Sequence, residues 1–129
     1  KNMQDTQAAA TADGVIWLSV ISSKPGSQGH VNGAAADKLT ADRGAKPTHV
    51  LLDPDGSMGR AYGAKTTPHM YIIGKDGTLA YAGAIDNDSS AGKAGDTNYV
   101  KQALTQVLAG ETVSTAETKP YGCSVKYAN

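Results

Sequence analysis

The stretch "TTPHMYIIGKDGTLAYAG", Thr66 to Gly83, constrains the fold more than any other part of the chain. Met70 to Ile73 is an apolar run of strand length, and Gly74-Lys75-Asp76-Gly77 closes it. Asp-Gly readily takes the positive φ values of a tight turn, so two antiparallel strands joined as a hairpin are expected. Pro68 stands directly before the first of them. Proline carries no N–H and is confined in sheets to edges, bulges and the first position of a strand. Pro68 fits that first position in two ways. A trans peptide bond would simply start the strand. A cis bond would make a turn that presents the N–H and C=O of Thr67 to an extended peptide or a sulfur species. The residues alone leave both open.

The rest of the chain reads as helices alternating with strands. Asn2 to Asp13 is rich in Ala and Gln with Gly14 after it, a helix with a glycine stop. Val15 to Ile21, "VIWLSVI", is nearly continuous in apolar residues, as in a parallel strand covered on both faces, with Trp17 as a core residue. A loop "SSKPGSQGHVNG" leads to a second helix, "AAADKLTADRG", with Asn32 as cap and Gly44 as stop. A strand at His49 to Leu52 ends in the turn "DPDG", and Ser57 to Tyr62 is one or two helical turns closed by Gly63. After the hairpin, a polar loop runs from Asp86 to Asp96. In the last helix Tyr99, Val100, Ala103, Leu104, Val107 and Leu108 form one apolar stripe, with Asp96 or Thr97 as cap and Gly110 as stop. This order implies an α/β fold: a mixed sheet flanked by helices, in a single domain over 1–129 with 111–129 as a polar tail.

Composition narrows the function classes. Twelve basic and twelve acidic residues cancel, so nothing in the net charge points to nucleic acid or to an anionic membrane. No apolar run reaches the ~18 residues of a membrane span. With one Trp, six Tyr and no Phe, the core must be built mainly from Val, Ile, Leu, Met and Ala. The single cysteine, Cys123, excludes an internal disulfide and any multi-cysteine metal site.

Several suggestive fragments fail on their chemistry. "DPDG" opens like a calcium loop, but its glycine comes too early and Ala64 stands where a bidentate Glu is required. "DNDSSA" fails likewise, with Ala91 and Thr97 at the decisive positions. Both read as turns. "PGSQGHVNG" lacks the Gly-Lys-Ser/Thr ending of a phosphate-cradling loop. His30, His49 and His69 are spread along the chain without helical pairing, so no metal site is expected. No cofactor is indicated.

The stretch "LLDPDGSMGRAYGAKTTPHMYIIGKDGTLAYAG" resembles the second half of thioredoxin-fold redoxins, the branch related to alkyl hydroperoxide reductase and thiol-specific antioxidant proteins. The resemblance covers about Val15 to Leu108. The ending "KPYGCSVKY" is similar to that of one subgroup. What this implies is a thioredoxin-like sheet, a cis Pro68 facing the redox site with Thr67 before it, and Cys123 as a resolving thiol. Redoxins carry their reactive cysteine after an earlier, central strand, and this sequence has neither. The resemblance therefore implies residues upstream of Lys1, and a sheet that lacks its central first strand. Three remedies are open: direct pairing of the neighbouring strands, strand exchange in a homo-oligomer, or further sequence that restores the strand.

The function implied is thiol-dependent redox chemistry, peroxide reduction or disulfide exchange, with a thiol reductant or a disulfide-bearing protein as partner. Relatives of this kind are often exported in bacteria. With one cysteine the chain cannot complete an intramolecular dithiol cycle. The alternative is a non-catalytic binding module that receives a peptide beside Pro68, with Cys123 a buried small hydrophobe or an inert surface thiol.

Overall fold

The structure is a computed structural model and describes residues 2–26, 33–42, 47–88, 95 and 97–128. Asn32, Gly44 and Asp96, expected as caps and a stop, lie outside the described residues, as does His30. The chain is mixed α/β. It divides into two compact units: Met3–Ala64 with the residues from Val125 onward, and Lys65–Ser124.

The first unit holds α1 (Asn2–Ala12), β1 (Leu18–Ile21), α2 (Gly33–Asp42), β2 (His49–Leu52) and α3 (Ser57–Tyr62). β1 and β2 pair in parallel, Leu18 opposite His49 and Ile21 opposite Leu52, with α2 as the crossover that parallel pairing requires. The pair is pinned at both ends. At its start the Trp17 N–H donates to Thr48 Oγ1 (2.8 Å), while the Thr48 and His49 N–H groups donate to the Trp17 carbonyl. At its finish the Asp53 N–H donates to the Ile21 carbonyl (2.7 Å). The expectation of a strand buried on both faces is not met: Ile16, Leu18 and Val20 are exposed, together with Leu51 and Leu52. Trp17 lies before β1 and is only half-buried, so it is not a core residue.

Asp53 organises the end of this unit. Its carboxylate accepts from Ser22 Oγ (2.7 Å) and from the Gly59 (2.9 Å) and Met58 (3.2 Å) amides, satisfying the first turn of α3. Burial pushes the carboxyl up, but these bonds favour the charged form, outweigh burial and hold its pKa below the ordinary value. Tyr127 comes back onto the same turn. Its hydroxyl donates to the Ala64 carbonyl (2.6 Å), and the Arg60 guanidinium sits 4.9 Å from its ring centre.

The second unit holds β3 (Thr66–Thr67), β4 (Met70–Ile73), β5 (Leu79–Gly83), α4 (Tyr99–Leu108) and β6 (Cys123–Ser124). β4 and β5 form the expected antiparallel hairpin, with a bulge between Ile72 and Ile73. Its turn has Gly77 at φ 85°, and Asp76 Oδ1 accepts from both the Thr78 N–H and the Thr78 hydroxyl. α4 packs on both strands. Val100, Ala103 and Leu104 from its stripe are buried with Ile72, Tyr81, Ala84 and Ile85, while Leu108 at its end is exposed. The cap of α4 is Asn98, not Asp96 or Thr97: its side chain accepts the Lys101 N–H (2.9 Å).

The other edge of β5 is taken by the C-terminal segment. Ala82 bridges Glu117 in parallel, through Ala82 N–H to the Ala116 carbonyl and Thr118 N–H to the Ala82 carbonyl. The Tyr81 hydroxyl, fully buried, donates to the Ala84 carbonyl and lies 2.6 Å from Thr118 Oγ1. Gly83 is required here. Its φ is 148°, and a Cβ would stand 2.2 Å from Thr118 Oγ1 and 2.5 Å from the Thr118 carbonyl oxygen. Among the described residues the sheets are β1–β2 in the first unit, and β3–β6 and β4–β5 in the second. Among the described residues no helix is long and apolar enough to cross a membrane.

Candidate functional site

Thr67, Pro68 and Cys123 come together in the second unit. β3 and β6 pair antiparallel, with Thr67 opposite Cys123 and Thr66 opposite Ser124. The Thr67–Pro68 peptide bond is cis, one of the two alternatives the residues leave open. Thr67, Pro68 and Cys123 are all exposed, and the Cys123 thiol is free. The residue paired with Thr67 across the ladder is therefore Cys123 of its own chain, a self-pairing that the sequence does not reveal.

The turn is tied at both of its ends. The Thr66 hydroxyl donates to the Pro68 carbonyl (2.7 Å), and the Lys65 N–H donates to His69 Nδ1 (3.1 Å). That bond requires Nδ1 to be unprotonated, so the neutral ring carries its hydrogen on Nε2. The His69 ring stacks on Tyr71, with centres 4.6 Å apart and planes 20° from parallel. Burial and the Lys65 charge both lower the His69 pKa, which preserves the acceptor at neutral pH.

Gly122 explains how β6 approaches so closely. It has φ 133°, and a Cβ would meet the Thr67 carbonyl oxygen at 2.2 Å and the Pro68 nitrogen at 3.3 Å. Only a residue without a side chain can lie against that peptide. One residue earlier, the Tyr121 hydroxyl donates to Asp86 Oδ1. Asp86 is buried, and its carboxylate also accepts from the Gly95 (2.9 Å) and Asp88 (3.1 Å) amides. Burial raises its pKa, but the bonds from Gly95, Tyr121 and Asp88 prevail and keep it below the ordinary value. For Tyr121, burial and the Asp86 carboxylate both push the hydroxyl up, so it remains a donor.

Gly122, Tyr121, Asp86 and the acceptor role of His69 were not singled out by sequence reasoning. The glycine before the cysteine in "PYGCS" and the aspartate closing the apolar run "AYAGAID" were the available signals. His49 stands on β2 in the other unit. Among the described residues no group of three or more His, Cys, Asp or Glu side chains could hold a metal ion. A shallow depression in the first unit, lined by Thr11, Gly14, Val15, Ile16, Pro47 and Thr48, has no ionisable side chain and offers no chemistry.

No family model matches the sequence, and no curated protein matches it. Solved structures do. The crystal structure of an uncharacterized conserved protein from Geobacillus kaustophilus matches with a TM-score of 0.84 at 23% identity, covering 98% of this chain and 67% of that one. A hypothetical protein from Sinorhizobium meliloti 1021 matches with a TM-score of 0.78 at 22% identity, covering 97% of this chain and 72% of that one. At such identities the likeness shows a shared fold alone. Both neighbours extend beyond the matched region.

Proposed function

We propose that this chain is a thioredoxin-like redoxin domain that works in thiol–disulfide chemistry, with Cys123 as a resolving thiol beside the Thr67–Pro68 turn. The observation that carries the reading is the ladder that sets Cys123 opposite Thr67 with its thiol free and exposed. In the resemblance, these are the positions of a redox site.

The chemistry available to one thiol is limited and can be written in full. The Cys123 thiolate attacks one sulfur of a partner's disulfide. A new S–S bond forms to Cys123, the old one breaks, and the second sulfur leaves as a thiolate. Alternatively, the Cys123 thiol condenses with a sulfenic acid on another cysteine, giving a disulfide and releasing water. Each reaction stops at a disulfide, and a thiol reductant must restore Cys123. The peroxide-reducing nucleophile would be a cysteine outside this sequence, and the isolated chain is inactive in peroxide turnover.

The experiment is capture of a disulfide-bonded peptide by the purified chain, followed by intact mass. The expected result is a mixed disulfide that Cys123→Ser abolishes and that a thiol reductant reverses. A second reading, a non-catalytic peptide-binding module, is favoured by the presence of only one cysteine. Peptide binding that persists undiminished in Cys123→Ser, with no covalent adduct in the parent chain, would replace the redox reading with that one.

A further inference from the structure

We infer that Tyr121 and Asp86 are positioning residues that hold the Cys123 strand in register on Thr67, an inference that rests on the redox reading above. β6 is only two residues long, and a two-residue ladder fixes little by itself. Its placement has to come from what flanks it. On the N-terminal side Tyr121, two residues before Cys123, reaches a carboxylate that is itself immobilised. Asp86 is 2% exposed and bound by two backbone amides, so it gives Tyr121 a fixed charged acceptor. Further back, Thr118 is tied to β5 through its backbone and through Tyr81 and the Ala84 N–H.

The segment from Thr118 to Cys123 is thus anchored at two points on the hydrophobic unit before it reaches β3. Gly122 then lets the chain lie against the Thr67 peptide without a clash. Three consecutive residues divide the work: Tyr121 anchors, Gly122 makes room and Cys123 presents the thiol. Neither Tyr121 nor Asp86 is assigned any contact with a substrate. Their effect on the thiol runs through its position.

The decisive variant is Tyr121→Phe, which removes one hydroxyl and keeps the ring, with Asp86→Asn as the second. Amide hydrogen exchange is compared with that of the unsubstituted chain. The β3 and β6 amides should exchange faster by about tenfold or more, as loss of one hydrogen bond to a charged group implies, while the α4 amides stay unchanged. Unchanged β3 and β6 amides, or acceleration spread equally over α4, would overturn the inference. This readout does not depend on redox chemistry.

The functional arm compares Cys123 reacting with iodoacetamide and with a disulfide-bonded peptide. Tyr121→Phe should lower the peptide rate by about fivefold or more while leaving the iodoacetamide rate within about twofold, because only the peptide needs the thiol beside the turn. Equal loss in both rates, or in neither, would overturn the positioning role. A parent chain that captures no peptide at all would instead sink the redox reading, with the amide result still deciding whether Tyr121 and Asp86 hold the strand.

Discussion

The two units treat their apolar residues in opposite ways. In Lys65–Ser124 the hairpin β4–β5 lies under α4, and Ile72, Tyr81, Ile85, Val100 and Leu104 are buried. In Met3–Ala64 the only buried apolar residues among those described are Ala10 and Ala36, and Leu18, Val20, Leu51 and Leu52 are exposed. Alternation along β1 shows the pattern: Ser19 and Ile21 are half-buried, while Leu18 and Val20 face solvent. Parallel strands occur almost always with both faces covered, and here one set of side chains, Leu18 and Val20, is left exposed among the described residues. The lesson is that an apolar run reports the burial its residues favour. It does not report which element supplies that burial.

The contrast is sharpest at glycine. Gly83→Ala in the second unit should combine a strained φ of 148° with a Cβ pressed into Thr118, costing about 3 kcal/mol or more. Gly63→Ala in the first unit has φ 72° but nothing within 4 Å of the added Cβ, so only the left-handed penalty of about 1–2 kcal/mol applies. Denaturant unfolding of both variants checks this. Equal costs would mean that the Thr118 segment does not pack on β5 in solution.

Truncation of buried and exposed leucines is the next largest effect. Leu104→Ala should cost about 2–5 kcal/mol, and Leu18→Ala should fall within about 0.5 kcal/mol of zero. Measured in the same unfolding experiment, a Leu18→Ala cost matching that of Leu104→Ala would show that the β1 face is covered in solution.

The smallest effect is in acid, and both units share it. Asp53 and Asp86 are held below the ordinary aspartate pKa, so the unfolded chain binds protons more readily than the folded one. The stability each contributes is fully present above about pH 4, the unfolded value, and is lost as pH falls through the depressed folded values. A pH series of unfolding midpoints should therefore be less steep below about pH 4 in Asp86→Asn than in the parent. An unchanged slope would mean that the Tyr121, Gly95 and Asp88 bonds do not favour the carboxylate.

Much of the second unit was legible because its signals are local. The Asp-Gly turn between two apolar runs placed β4 and β5, and the paired apolar positions every fourth residue placed α4. The cap is not legible locally because Thr97 and Asn98 have similar capping chemistry, and the choice depends on where the chain leaves Asp86: Asn98 bridges Asp86, and the Asn87 N–H donates to the Thr97 carbonyl. The burial of β1 is not legible either, because its apolar run looks the same whether or not an element covers it. At the candidate site, Thr67, Pro68 and Cys123 were named from the sequence, but their pairing was not, since a two-residue strand carries no periodicity to read.

By itself the sequence determined the alternation of helices and strands, the hairpin, the last helix with its buried stripe, and the presence of one thiol. Those follow from turn chemistry, capping and periodicity over a few residues. Only the tertiary structure decided that residues 116–124 run along β5 and then β3, that Gly83 and Gly122 must lack side chains, and that Asp86 is a buried acceptor for Tyr121. Each of these is a close approach between segments far apart in the chain, and no local pattern encodes the distance that makes it necessary.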